Sequence, residues 1–134
     1  TSIVLQDGVT EIGDSLFSNL TALETVSFTY TLISIGTNSF RNCSALKSIE
    51  LPSSLISIGT GAFGNCTKLQ SARLSEGLES VGSWSFAYCS ELTEIQLPET
   101  LTEIGSAAFY ECSSLTNITI PAKPIAPSST KAYS

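Results

Sequence analysis

The sequence predicts a repeat solenoid, a right-handed stack of coils with a parallel β-sheet along one face. A stretch of 23 residues that begins at Ile35 recurs from Ile58, Val81 and Ile104, and more loosely from Ile12. Apolar residues recur at fixed positions of each copy, and each copy contains a stretch of the LxxIxL type. A fixed period of this length is typical of solenoids, in which each unit buries its apolar face against the next one.

The composition fits one globular domain and excludes several classes of partner. The chain has 134 residues, 42% hydrophobic and 13% charged, which is enough apolar material for a core. A net charge of −6 argues against nucleic acid and against docking on anionic membranes. No apolar run approaches the roughly 18 residues of a membrane span. The chain lacks methionine and starts part-way through a repeat, so we interpret it as a mature piece or a fragment.

The first eleven residues form half a repeat, and five complete repeats follow. In the repeat that starts at Ile35, Ile49 and Leu51 are expected to point inward while Ser48 and Glu50 point outward, as in a half-buried strand. Proline then ends the strand, because it cannot donate to a ladder. The most regular core columns are those of phenylalanine and leucine: Phe17, Phe40, Phe63, Phe86 and Phe109; Leu23, Leu46, Leu69, Leu92 and Leu115.

The rest of each repeat is predicted to turn the chain back toward the next strand. One glycine recurs in every repeat, so the site needs either a positive φ or the absence of a Cβ. These residues are Gly13, Gly36, Gly59, Gly82 and Gly105. The stretch after each glycine is too short for an ordinary helix and predicts short turns or a single helical or 3₁₀ turn. We expect the solenoid to span residues 1–122, with a C-terminal tail or linker over residues 123–134.

The repeat C-x-x-L-x-x-I-x-L-P-x-x-L-x-x-I-G-x-x-A-F resembles the BspA-like class of leucine-rich repeats over about residues 3–121. The positions that fit are Cys43, Leu46, Ile49, Leu51, Pro52, Leu55, Ile58, Gly59, Ala62 and Phe63; the departures are Leu20, Ala72, Ser75, Thr29 and Tyr30. The resemblance implies a curved parallel solenoid. It also implies a surface protein of host-associated bacteria or parasitic protists that adheres to host matrix proteins.

Four cysteines share one position of the repeat: Cys43, Cys66, Cys89 and Cys112. Metal binding is disfavoured, because ligands strung along a solenoid do not converge on one point. Parallel side chains on neighbouring coils lie about 4.8 Å apart, beyond the usual Cβ separation of a disulfide. Leu20 fills the same place in the first repeat, so the position accepts apolar volume. We therefore predict buried free thiols, with a disulfide between neighbouring coils as the alternative.

No motif predicts catalysis or a cofactor. The stretch from Gly59 to Gly64 spells GxGxxG, but both a long helix and the flanking context of a dinucleotide site are missing. The chain has no histidine, which excludes the ordinary Ser-His-Asp and Cys-His arrangements. The carboxylates fall at variable, outward positions typical of a solvated face. The prediction is a protein with no catalytic, cofactor-binding or metal-binding residues.

The candidate partner-binding surface is the outward face of the LxxIxL sheet. Its residues differ from coil to coil while the core columns stay constant, as expected where the core fixes the scaffold and the surface can differ. They are Ser27, Glu50, Arg73, Gln96 and Thr119, and, two positions earlier in the repeat, Ser48, Ser71 and Glu94. The alternative is that Glu50 and Arg73 only pair with each other across neighbouring strands.

A second candidate is an aromatic patch formed by Trp84, Tyr88 and Tyr110. Their columns hold small or polar residues in most other repeats, and large aromatic residues outside the core can form a recognition surface. The other interpretation is that they shield the side of the solenoid.

The sequence predicts a non-enzymatic protein-binding or adhesion module. From the family resemblance, we expect a fragment of a cell-surface or secreted protein that contacts host or extracellular-matrix proteins. The alternative is an intracellular scaffold for protein–protein interactions, and a signal sequence or anchor in the parent gene would separate the two. Nucleic acid and direct membrane insertion by this fragment are not expected.

Overall fold

A computed structural model describes residues 1–119 of the chain, and over this range it contains eleven short strands joined by turns and no helix. The predicted parallel solenoid is confirmed, with about five coils at a spacing of roughly 23 residues. The predicted boundary at residue 122 and the tail over 123–134 lie outside the described residues. The strands are β1 Ser2–Val4, β2 Glu11–Ile12, β3 Thr25–Ser27, β4 Ser34–Ile35, β5 Ser48–Glu50, β6 Ser57–Ile58, β7 Ser71–Arg73, β8 Ser80–Val81, β9 Glu94–Gln96, β10 Glu103–Ile104 and β11 Asn117–Thr119.

Each coil contributes one strand to each of two sides of the stack. The two-residue strands β2, β4, β6, β8 and β10 form one five-stranded sheet. The three-residue LxxIxL strands form the other side, in which every pairing is parallel and joins equivalent residues of neighbouring coils, such as Ile49 with Ala72. This side is divided into a two-stranded sheet, β1–β3, and a four-stranded sheet, β5–β7–β9–β11. The division falls after the least regular repeat, in which Phe28 stands where the next three repeats have leucine.

Stacked phenylalanines run along the core of the solenoid. The rings of Phe40 and Phe63 are 5.2 Å apart and nearly parallel, at an angle of 1°. Phe63 stacks on Phe86 at 5.4 Å, and Phe86 stacks on Phe109 at 5.6 Å. The leucine column beside them is fully buried at Leu46, Leu69 and Leu92. The predicted core columns therefore form one continuous apolar interior.

Space, rather than backbone conformation, explains the recurring glycine. None of the five has a positive φ. A Cβ built on Gly59 would lie 2.6 Å from the carbonyl carbon of Gly36, in the preceding coil. A Cβ on Gly82 would lie equally close to the carbonyl carbon of Gly59. The coils therefore touch backbone to backbone at this column, which resolves the two possibilities left by the sequence.

The segment after each glycine consists of short turns, and its backbone conformation explains why no helix forms. Within the coil of Asn38 and Asn42, the amide N–H of Arg41 bonds to the carbonyl of Asn38, three residues back. Asn38 and Asn42 both have a positive φ, of 55° and 63°, and these left-handed residues prevent a helix from continuing through the segment. Alternate amides of this segment instead donate to the next coil, as from Phe40 to the carbonyl of Ala62 at 2.8 Å. These turns thus form a third hydrogen-bonded side of the solenoid.

Ser39 and Ser85 occupy the same position of the repeat, but their replacement by alanine should change the stability in opposite directions. The hydroxyl of Ser39 donates to the carbonyls of Gly36 and Gly13, at 2.7 and 3.0 Å. The hydroxyl of Ser85 is equally buried but has no hydrogen-bond partner among the described residues. Alanine occupies the same position at Ala62 and Ala108, where it is fully buried. Ser85→Ala should therefore raise the free energy of unfolding by about 1 kcal/mol, because a buried hydroxyl without a partner is costly.

Ser39→Ala should lower the free energy of unfolding by about 1 kcal/mol, because it removes a buried hydroxyl that is hydrogen-bonded. Urea unfolding of both variants and the parent chain measures the two changes. A loss of stability in Ser85→Ala would show that this hydroxyl is bonded after all.

Candidate functional site

The outward face of the four-stranded sheet lines a groove of about 800 Å³, formed by strands β5, β7, β9 and β11 and the turns that follow them. This surface is called the groove below. Of the eight residues predicted for the sheet face, seven line the groove and all eight are exposed. The residues brought together are Ser48, Glu50, Ser71, Arg73, Glu94, Gln96 and Thr119. Ser27 does not line the groove, because its strand belongs to the separate two-stranded sheet.

The charged side chains of the groove are not paired with each other. Glu50 and Arg73 stand opposite each other on neighbouring strands. Among residues 1–119, the only ion pair joins the amino terminus of Thr1 to Glu24 at 3.3 Å. The pairing of Glu50 with Arg73 that was the alternative interpretation is therefore absent from this range. Their charges remain free to meet a partner.

The rim of the groove includes residues that the sequence reasoning missed. Ser75, Glu76 and Pro98 line it from the turns that follow β7 and β9. Their signal in the sequence is their place in the turn two or three positions after the strand, where proline predicts only the end of the strand. Glu76 is exposed and adds a further carboxylate beside Glu50 and Glu94. The groove is therefore lined by three carboxylates and one guanidinium.

The aromatic patch is also assembled by the fold, on the turn segments and not on the groove. The ring of Tyr110 meets the ring of Trp84 edge to face, with centroids 5.3 Å apart. It meets the ring of Tyr88 in the same manner at 5.6 Å. Trp84 and Tyr88 are 43% and 41% exposed. Three aromatic residues from two neighbouring coils thus form one continuous surface.

The four cysteines form a ladder of free thiols. Each thiol donates to the backbone carbonyl of a phenylalanine in the preceding coil, as from Cys66 to Phe40 at 3.3 Å. Burial raises the pKa of Cys66 and of Cys89, each beside the thiols of neighbouring coils, and burial raises the pKa of Cys112 to about 11. The thiolate is the reactive form, so these cysteines are poor nucleophiles near neutral pH. No cluster of metal-ligating side chains occurs among residues 1–119.

The rate of alkylation tests the prediction that these thiols are free and react slowly. At about pH 8, iodoacetamide should modify Cys66 and Cys89 very slowly in the folded protein, because they are buried and their thiolate fraction is minute. Cys112, which is only partly buried, should react first, and its rate should rise as the pH approaches its pKa of about 11. In denaturant without reductant, mass spectrometry should find four labels. Two labels would demonstrate a disulfide.

No helix in the described part of the chain could cross a membrane.

Comparison with known proteins identifies the repeat. A family model described as the BspA type leucine rich repeat region matches residues 10–131 in six copies. No curated protein sequence matches the chain.

Three solved structures share the fold. A leucine-rich repeat protein of T. pallidum is 33% identical with a TM-score of 0.87, and the match covers 90% of this chain and 58% of that one. A leucine-rich repeat protein of Bacteroides ovatus is 31% identical with a TM-score of 0.63, covering 90% and 37%. The pneumococcal vaccine antigen PcpA is 29% identical with a TM-score of 0.75, covering 87% and 29%. The chain therefore spans less than two thirds of the length of each protein.

Proposed function

This chain belongs to the family of BspA-type leucine-rich repeat proteins, and we propose that it is a non-enzymatic module that binds a partner protein in the groove. Leucine-rich repeats of this family are typical of protein-binding and adhesion modules. They are generally non-enzymatic. Any protein that binds here would meet a scaffold whose apolar columns are constant and whose exposed residues differ between coils.

The observation that carries the proposal is the arrangement of unpaired charges in the groove. The guanidinium of Arg73 is exposed between two strands that present Glu50 and Glu94, and no ion pair within residues 1–119 occupies these groups. Unpaired charges at an interface steer the encounter and fix the register of a partner. A segment that presents basic groups on both sides of an acidic group would complement this pattern.

The expected affinity of one groove is low. The groove contains no tryptophan, tyrosine or phenylalanine. Tight interfaces are most often anchored by tryptophan, tyrosine and arginine, and of these the groove has only one arginine. Repetition of weak contacts in a longer parent protein would raise the overall avidity. This property suits adhesion, in which many weak contacts act together.

We further propose that the module belongs to a cell-surface or secreted protein that contacts host or matrix proteins. The support is the family and the likeness to a pneumococcal vaccine antigen.

A binding assay on purified extracellular-matrix proteins tests the proposal. The full chain is passed over each immobilised protein, and we expect concentration-dependent binding to at least one of them. The double variant Glu50→Ala with Arg73→Ala should weaken that binding by about tenfold or more, as expected when charged groups at the centre of an interface are removed.

The matched control is Lys68→Ala with Glu91→Ala. It also removes one base and one acid, both exposed and both outside the groove. Binding should be unchanged in this control. If no matrix protein binds, or if the groove variant and the control bind alike, the proposed function is wrong.

A further inference from the structure

Two residues of the aromatic patch have an unfavourable backbone conformation. Trp84 and Tyr88 have φ values of 60° and 62°, in the left-handed region that bulky side chains rarely adopt. All coils share this conformation at these two positions, and the other coils fill them mainly with small or polar residues: Ser15, Asn38, Gly61 and Ala107; Asn19, Asn42, Asn65 and Glu111. The coil therefore does not require aromatic residues here.

The patch lies in the acidic part of the molecule. Residues 74–119 contain seven carboxylates and no lysine or arginine. Glu111 directly follows Tyr110 in the chain and occupies the column of Tyr88 in the next coil. All seven carboxylates are exposed, and Glu111 is the one that the stacking of the coils places beside the patch. The surroundings favour a cationic partner and disfavour an acidic one.

The aromatic rings, like the carboxylates, favour a cationic partner. The face of a tryptophan or tyrosine ring attracts an arginine or lysine cation through its quadrupole, with tryptophan the strongest. The ring of Tyr110 contacts those of Trp84 and Tyr88 edge to face at 5.3 and 5.6 Å, which leaves no space for a cation in either contact. A cation must therefore meet the exposed outer faces of Trp84 and Tyr88.

We propose that Trp84, Tyr88 and Tyr110 form a second docking surface, which binds a protein segment bearing arginine or lysine. None of these residues lines the groove, so the surface is independent of the proposed function. Cation–π contacts and the charge of Glu111 act together on the same group. The occupant is a basic stretch of a partner protein, lying across the turn segments of the last two described coils.

Trp84 is the only tryptophan of the chain, so its fluorescence reports on this surface alone. The probe is a short peptide of alternating arginine and glycine, titrated into the full chain. The reference is the same peptide with glutamine in place of arginine. We expect a saturable change in Trp84 fluorescence with the arginine peptide and none with the glutamine peptide.

Column-matched variants separate recognition from shielding. Tyr88→Asn installs the residue that three other coils hold at this position with the same positive φ. It should weaken peptide binding by about three- to fivefold, the loss of one exposed cation–π contact, without lowering the urea midpoint. Glu111→Gln should also weaken binding. Tyr30→Ser, which removes an exposed aromatic residue far from the patch, should bind as the parent does.

Four results would overturn the proposal. They are equal fluorescence changes with the two peptides, unchanged binding by Tyr88→Asn, a lower urea midpoint in Tyr88→Asn, and a saturable response to a neutral oligosaccharide in place of the peptide. The third would assign the aromatic residues to shielding of the solenoid. The fourth would assign the surface to carbohydrate. Because Glu50 and Arg73 are intact in all these variants, failure here leaves the proposed function of the groove unaffected.

Discussion

Replacing Gly82 by alanine is expected to lower the free energy of unfolding by about 3 kcal/mol, the upper range for forcing extra atoms into a packed interior. The added Cβ would lie 2.6 Å from both the carbonyl carbon of Gly59 and the backbone nitrogen of Thr60. Both are backbone atoms, so no side chain can rotate away to make room. Urea unfolding followed by circular dichroism measures the loss.

Gly13→Ala is the matched control, because this glycine has the same place in its repeat but a Cβ there would meet nothing within 4 Å. Its φ is not positive, so alanine should leave stability unchanged or raise it by up to about 1 kcal/mol. Equal losses in the two variants would mean that contact between coils is not the reason for the glycine.

Replacing Phe63 by alanine is expected to lower the free energy of unfolding by about 3–5 kcal/mol, as for other fully buried aromatic residues. Phe63 is 0% exposed and stacks on Phe40 and Phe86 on its two sides. Its removal leaves a cavity in the middle of the stack, and the hydrogen-bonded coils above and below it prevent collapse. The same unfolding assay applies.

The control for this variant is Tyr30→Ala, which removes an aromatic ring that is 77% exposed. It should change stability by less than about 0.5 kcal/mol. A loss below about 1 kcal/mol in Phe63→Ala would contradict the central position of the phenylalanine stack.

The sequence predicted the fold well because its period repeats the same physical information five times. One leucine such as Leu69 indicates little by itself, but the same residue at the same place in every coil identifies the core face. The strands could be placed for the same reason. Ile49 and Glu50 alternate between buried and exposed, as the pattern predicted.

The backbone of the turns could not be predicted from residue types. Nine non-glycine residues in the described range have a positive φ, and they include Trp84, Tyr88 and Glu111, which do not favour it. Hydrogen bonds between stacked coils hold this conformation, and of the nine residues only the four asparagines indicate it locally. The contact that excludes a Cβ at Gly82 is equally a property of the stack.

The candidate sites were predicted in part. The sheet-face residues could be identified because strand alternation fixes their direction, and seven of the eight line the groove. The exclusion of Ser27 depends on a break between β3 and β5 that repetition alone does not reveal. The absence of an ion pair between Glu50 and Arg73 in the described residues depends on side-chain geometry, which their spacing in the sequence does not reveal.

Site-specific photo-crosslinking tests the central claim, that the groove is the surface that binds protein. A photoreactive residue at Gln96, in the groove, is compared with one at Glu103, which is exposed on the five-stranded sheet. Each variant is irradiated with the matrix protein that binds the parent chain most tightly. We predict a covalent adduct from position 96 and none from position 103. An adduct from position 103 alone, or from neither position, would contradict the account.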